Sequence, residues 1–181
     1  MARKLPIKSS PLLRLNTICP YYTMFPIDFP FKKLIRAKKG EWVLDPFCGR
    51  GTTNYAARLS GLNSFGVDSN PVAVAIATSK LVNVNAFNIT ALAQNIISNS
   101  PEVNIPEGEF WHLCYHENTL RKICKIRQYL LKNCATEEEF ALRGVMLGIL
   151  HGPINKNTTS YLSNQMPRTF ASKPTYSVKY W

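Results

Sequence analysis

The chain of 181 residues carries 22 Lys and Arg against 11 Asp and Glu, a formal charge of +11, and 45% of it is hydrophobic. That composition excludes a chain disordered throughout and suits one buried core better than two. No run approaches the roughly eighteen apolar residues of a membrane span, and Met1 to Pro6 lack the apolar segment of a signal peptide, so a cytoplasmic protein is expected. Cys19, Cys48, Cys114, Cys124 and Cys134 are odd in number and make no Cys-x-x-Cys pair; reduced, mostly buried thiols are expected rather than a disulfide framework or a zinc knuckle.

Residues 1–39 hold nine Lys or Arg and one acid, Asp28. Proline punctuation predicts an extended arm to about residue 27, followed by a short helix over Phe31 to Ala37 that ends near Gly40. Trp42 to Leu44 is a short apolar run suited to a buried central parallel strand. It breaks into Asp45 Pro46 Phe47 Cys48 Gly49 Arg50 Gly51 Thr52 Thr53, where Gly49 and Gly51 allow backbone geometry and close ligand approach that a Cβ would obstruct.

No Lys follows the second glycine, and Gly-x-Gly-x-x-Asn departs from the dinucleotide fingerprint, so phosphates are poor ligands for this turn. A helix is predicted from Thr53 to Ser60, stopping at Gly61, with Thr52 or Thr53 as its cap. A second strand over Ser64 to Val67 ends in Asp68, where dinucleotide folds carry an acid for ribose hydroxyls. Ser69 or Asn70 can cap the next helix, Pro71 to about Val82, with Pro71 suited to the first helical position. A ribose without a pyrophosphate fits this pair of strand ends.

The strand and helix alternation then stops. Thr90 to Ser98, Asn118 to Lys132 and Glu137 to Leu150 all read as helices. Thr136 and Glu139 have capping-box spacing, and Gly152 and Pro153 mark an end; this last helix is apolar on most sides and should be buried. In the helix before it, Leu120, Ile123, Cys124 and Leu131 are predicted to share an apolar face, opposite a basic stripe of Arg121, Lys125, Gln128 and Lys132 that would either contact DNA or face solvent. His112 and His116 have spacing that zinc ligands can use, but Leu113 stands where a metalloprotease needs Glu, and a structural or substrate-contacting role is favoured. His151 would complement a helix dipole. Residues 152–181 carry Lys156, Arg168, Lys173 and Lys179 with no acid, interleaved with Tyr161, Phe170, Tyr176, Tyr180 and Trp181, a composition suited to phosphate contacts and base stacking.

The run DPFCGRGTT followed by FGVDSNPVAVAIA resembles the first two cofactor motifs of the S-adenosylmethionine-dependent DNA amino-methyltransferases, which methylate adenine N6 or cytosine N4. The resemblance covers residues 18–82 most specifically. It implies a Rossmann-like methyltransferase fold and S-adenosylmethionine as cofactor. It also implies that Asp45 lies near the amino-acid portion of that cofactor, that Phe47, Gly49 and Gly51 shape the turn, and that Asp68 binds the ribose. Pro46, Cys48, Thr52, Thr53 and Ser69 fall in the same matched runs. Upstream, Cys19 to Pro26 is similar to the segment these enzymes set against the methionine end of the cofactor, which implies contacts from Tyr22, Thr23 and Phe25; plain hydrophobic packing would account for those residues as well.

The same family carries an Asp, Asn or Ser followed by Pro-Pro and an aromatic residue, and no Pro-Pro occurs in this sequence. An exocyclic amine has its lone pair delocalised into the ring, so acceptors for its hydrogens and a stacking surface for the flipped base must be supplied. No catalytic residue is assigned here. The expected organisation is a basic arm with the upstream cofactor segment (1–40), a cofactor-binding strand-helix-strand-helix unit (41–85), a helical extension (86–152) and a basic aromatic tail (153–181). The expected fold is α/β and incomplete, with few parallel strands and a helical extension. Such a chain reads as the cofactor-binding part of a DNA methyltransferase, inactive alone, whose partners are DNA and a second polypeptide or missing half carrying the catalytic loop. A non-catalytic cofactor- and nucleic-acid-binding module and an RNA methyltransferase are the alternatives.

Overall fold

A computed structural model describes residues 11–19 and 25–150. In chain order the elements are α1 (Pro11–Leu15), α2 (Asp28–Leu34), β1 (Trp42–Asp45), α3 (Thr52–Leu59), β2 (Asn63–Gly66), α4 (Pro71–Ser79), α5 (Ala86–Asn99), α6 (Glu109–Cys114), α7 (Glu117–Lys132) and α8 (Glu137–Ile149). Among the described residues the structure is mixed α/β, with a two-stranded parallel sheet and a majority of helix. The tail from residue 153, His151, and the Gly152–Pro153 stop signal lie outside the described residues.

β1 and β2 pair in register, Trp42 opposite Asn63 and Asp45 opposite Gly66. The ladder continues past the strand ends: Val67 N–H donates to the Asp45 carbonyl and Cys48 N–H to the Val67 carbonyl, both at 2.9 Å. α3, which connects the two strands, packs on the face that holds Val43, Ser64 and Gly66; a Cβ on Gly66 would lie 2.9 Å from Cys48 Cβ and 3.0 Å from the Asn54 amide. Trp42, Leu44 and Phe65 are 71%, 67% and 60% exposed, so the expectation of a buried central strand fails: among the described residues, helices cover one face of the sheet and nothing covers the other.

Two cores hold the helices together. Ile96, Ile126, Leu130 and Leu142 join α5, α7 and α8, while Ile18, Cys19 and Ile76 join the segment after α1 to α4, with Val145 and Leu147 of α8 packed against them. α8 serves both cores, and from Glu139 to Leu150 it has no exposed residue, as its all-round apolar pattern predicted. It approaches α4 at Gly144, where a Cβ would collide with Ser79. The capping box forms as the spacing predicted: Glu139 N–H donates to Thr136 Oγ1, and Thr136 N–H returns to the Glu139 carboxylate.

Several local expectations are corrected. The arm is not extended throughout, because α1 forms at Pro11–Leu15 and the buried Tyr55 hydroxyl of α3 donates to the Leu12 carbonyl. α2 starts at Asp28 rather than Phe31: Pro30 sits in its first turn, where the missing N–H costs nothing. On α7 the buried positions are Leu120, Ile126 and Leu130, while Leu131 is 70% exposed. Leu131 lies about 100° around the helix from Leu130, enough to leave the seam with α5 and α8. The basic stripe is partly neutralised, since Glu102 pairs with Lys125 at 3.0 Å and Arg121 at 3.3 Å. His112 lies in α6, and His116 is the N-cap of α7, its Nδ1 accepting the Asn118 N–H.

Candidate cofactor-binding site

The parallel register sets Asp45 at the end of β1 and Asp68 just past the end of β2, with the glycine turn between β1 and α3. Open α/β sheets bind ligands at this edge, beyond the carboxyl ends of the strands. Gly49 and Gly51 take φ of +50° and +73°, a region costly for residues with a Cβ. Gly51 is the N-cap of α3 and makes no side-chain cap, which corrects the expectation that Thr52 or Thr53 caps it: Thr52 is already helical, and buried. α4 begins as predicted, with Asn70 Oδ1 accepting the Val72 N–H at 2.9 Å and Pro71 at the first helical position.

Asp68 holds the turn as well as facing it. Its Oδ2 accepts the Gly49 N–H at 2.9 Å and its Oδ1 the Asn70 N–H at 2.8 Å. Each carboxylate oxygen keeps a further lone pair, so the group can accept additional hydroxyl donors without giving up either amide. Asp45 Oδ1 accepts the Phe47 N–H at 3.2 Å. Cys48 is buried between these acids: desolvation, then the charges of Asp68 and Asp45, push its thiol above the ordinary cysteine range.

The chemistry of this edge is therefore anionic, with two carboxylates beside an open backbone position. A Cβ built on Gly49 meets nothing within 4 Å, whereas one on Gly51 would lie 2.7 Å from Ala77 Cβ; the first glycine faces open space and the second is pressed against α4. These features fit a cationic, ribose-bearing cofactor: acceptors for hydroxyls and for an ammonium group, and space at Gly49. The Arg50 guanidinium does not face the site, since its Nη2 donates to the Asn16 carbonyl at 3.0 Å.

The structure thus brings Asp45, Pro46, Phe47, Cys48, Gly49, Gly51, Thr52 and Thr53 into one turn with Asp68, while Ser69 is exposed beside it. Phe25 packs edge-on to Phe29 at 5.9 Å between centroids, and Tyr22 and Thr23 lie outside the described residues. Sequence reasoning missed Asn16, Arg50 and Lys80, which pack behind the turn. A lone Lys closing an apolar helix was the available signal. Among the described residues no group of His, Cys, Asp and Glu is placed to hold a metal, and no helix is long and apolar enough to cross a membrane.

A glycine turn braced by the acid of the neighbouring parallel strand completes this strand-helix-strand unit of α/β type. Residues 17–79 match the family profile of N6 and N4 methyltransferases, described as DNA methylase, so this segment is similar to the N6/N4 DNA methyltransferases. It is also similar to the Type II methyltransferase M.BsoBI of Geobacillus stearothermophilus, with 50% identity over 34 residues, a stretch that covers 19% of this chain and 7% of that protein. No solved structure matches.

Proposed function

We propose that this chain binds S-adenosylmethionine at the edge formed by the Asp45–Thr53 turn and Asp68, as the cofactor-binding part of a DNA methyltransferase acting on an exocyclic amino group of adenine or cytosine. The observation that carries the reading is the Asp68 carboxylate, which braces Gly49 while keeping lone pairs for ribose hydroxyls. Asp45 would hold the amino-acid end, and Gly49 would let the ligand approach the backbone. When bound, the cofactor would supply an electrophilic methyl group on a sulfonium centre, and the two carboxylates favour that positive charge. The fold is then read as an incomplete Rossmann-like methyltransferase unit.

A partner that supplies the acceptor loop belongs to this reading, because the sequence holds no Pro-Pro motif and the bare face of Trp42, Leu44 and Phe65 has the character of a sheet interior. The basic residues at both ends of the sequence would meet DNA phosphates. A second reading, a module that binds cofactor and nucleic acid without chemistry, is favoured by the same missing motif. Calorimetric titration of the chain with S-adenosylmethionine tests the first step, with saturable binding expected and its loss in Asp68→Ala. Absence of binding by the native chain would refute both readings. Transfer of a labelled methyl group to DNA, but not RNA, once a polypeptide carrying the missing motif is added distinguishes the enzyme part from the module.

A further inference from the structure

Lys80 follows α4 and is fully buried. Its Nζ donates to the Arg50 carbonyl at 2.5 Å and to Asn16 Oδ1 at 3.2 Å, and among the described residues no carboxylate is paired with it. The Arg50 carbonyl belongs to the Arg50–Gly51 peptide, in the middle of the glycine turn. That peptide is planar, so the contact that orients its carbonyl also orients the Gly51 N–H on the other side, and this N–H donates to the Cys48 carbonyl at 2.7 Å. The turn is thus held at two peptides, by Asp68 at the Gly49 amide and by Lys80 at the Arg50 carbonyl. Asn16 ties the same point to the segment that follows α1, since its backbone carbonyl accepts from Arg50 and its side chain from Lys80. Arg58 of α3 in turn donates to the carbonyl of Lys80.

We propose that Lys80 is a positioning residue for the cofactor turn: it fixes the Arg50–Gly51 peptide so that Gly49 stays open to the ligand, and it draws residues 16–19 against the back of the turn. Its consequence for binding rests on the cofactor reading above; its geometry does not. The chemistry of the site suits the role. A neutral amine has two N–H donors, and Lys80 faces two acceptors, so it can satisfy both without a buried net charge. Burial, and next the neighbouring Arg50 guanidinium, lower its pKa to about 7, where that neutral form becomes accessible.

The test uses the whole chain. Hydrogen exchange followed by mass spectrometry is compared for the native protein, Lys80→Met and Asn16→Ala, without ligand. Lys80→Met should speed exchange at residues 49–52 by about tenfold or more, as expected for loss of a hydrogen bond from a buried polar group, while α7 and α8 keep native protection. Asn16→Ala should leave the turn close to native. If Lys80→Met does not fold, Lys80→Gln, which keeps an N–H donor, must show the same local rise in smaller measure. Native exchange at the turn, or loss of protection spread evenly over the core, would overturn the proposal. In parallel, S-adenosylmethionine affinity should fall about tenfold in Lys80→Met. A native chain that binds no cofactor, with the turn still loosened by Lys80→Met, would remove the cofactor reading and support the positioning role.

Discussion

Gly51→Ala separates two costs that the turn combines. Gly51 has φ of +73°, and a Cβ there would lie 2.7 Å from Ala77 Cβ and 2.9 Å from Ala77 Cα, the latter being backbone that cannot rotate away. The left-handed conformation costs a residue with a Cβ about 1–2 kcal/mol, and overpacking against a fixed helix costs a further ~1–3 kcal/mol. Gly49→Ala incurs only the first cost, because φ is +50° but nothing lies within 4 Å. Urea unfolding followed by circular dichroism should therefore place Gly51→Ala below Gly49→Ala by about 1–3 kcal/mol, a large part of a typical stability of about 5–15 kcal/mol. Adding Ala77→Gly should restore part of the loss in the Gly51→Ala background and none in the native one. Equal stability of the two glycine variants, or no coupling with position 77, would refute the claim that the turn is seated on α4.

Asp68→Asn retains one acceptor oxygen where the carboxylate uses two, so either the Gly49 or the Asn70 amide loses its partner; about 1–2 kcal/mol of stability should be lost, with weaker S-adenosylmethionine binding in the same calorimetric titration. Lys80 predicts an unusual slope of stability with pH. Its folded pKa is lowered to about 7 from 10.5, so the unfolded chain binds more protons between those values and stability should rise with pH there. The buried thiols of Cys19 and Cys48 and the half-buried thiol of Cys124, whose pKa values are raised, oppose that rise in the alkaline range; urea midpoints at pH 7 and 8.5 should thus increase in the native chain and be flatter in Lys80→Met. Glu139 behaves in the opposite region: amides of Thr136 and Ala135 hold its carboxyl below the usual range, so its contribution is complete above that range and lost as pH falls through the folded value. Glu139→Ala should cost about 1 kcal/mol and reduce the loss of stability on acidification, measured by unfolding between pH 3 and 6.

Much of the candidate site was legible because its determinants are local. Glycines between an apolar run and a helix, an acid after the next apolar run, Asn70 before Pro71, and Thr136 with Glu139 each encode their geometry within a few residues. The errors arose where a distant neighbour decides. Gly51 rather than a threonine caps α3, because the turn enters the helix left-handed. Leu131 and Leu130 are equivalent in composition, and only the seam with α5 and α8 separates a buried leucine from an exposed one. Lys80 reads as a surface residue until α4 is packed behind the turn.

By itself the sequence determined the family segment, the strand-turn-helix order and the two acids at the strand ends, because period, glycine placement and capping chemistry act over short distances. The tertiary structure alone decided that Asp68 braces Gly49, that Lys80 donates to the Arg50 carbonyl and to Asn16 behind the turn, and that among the described residues nothing covers the face of Trp42, Leu44 and Phe65. Those facts depend on parallel register and on which helix covers which face, which are properties of long-range packing.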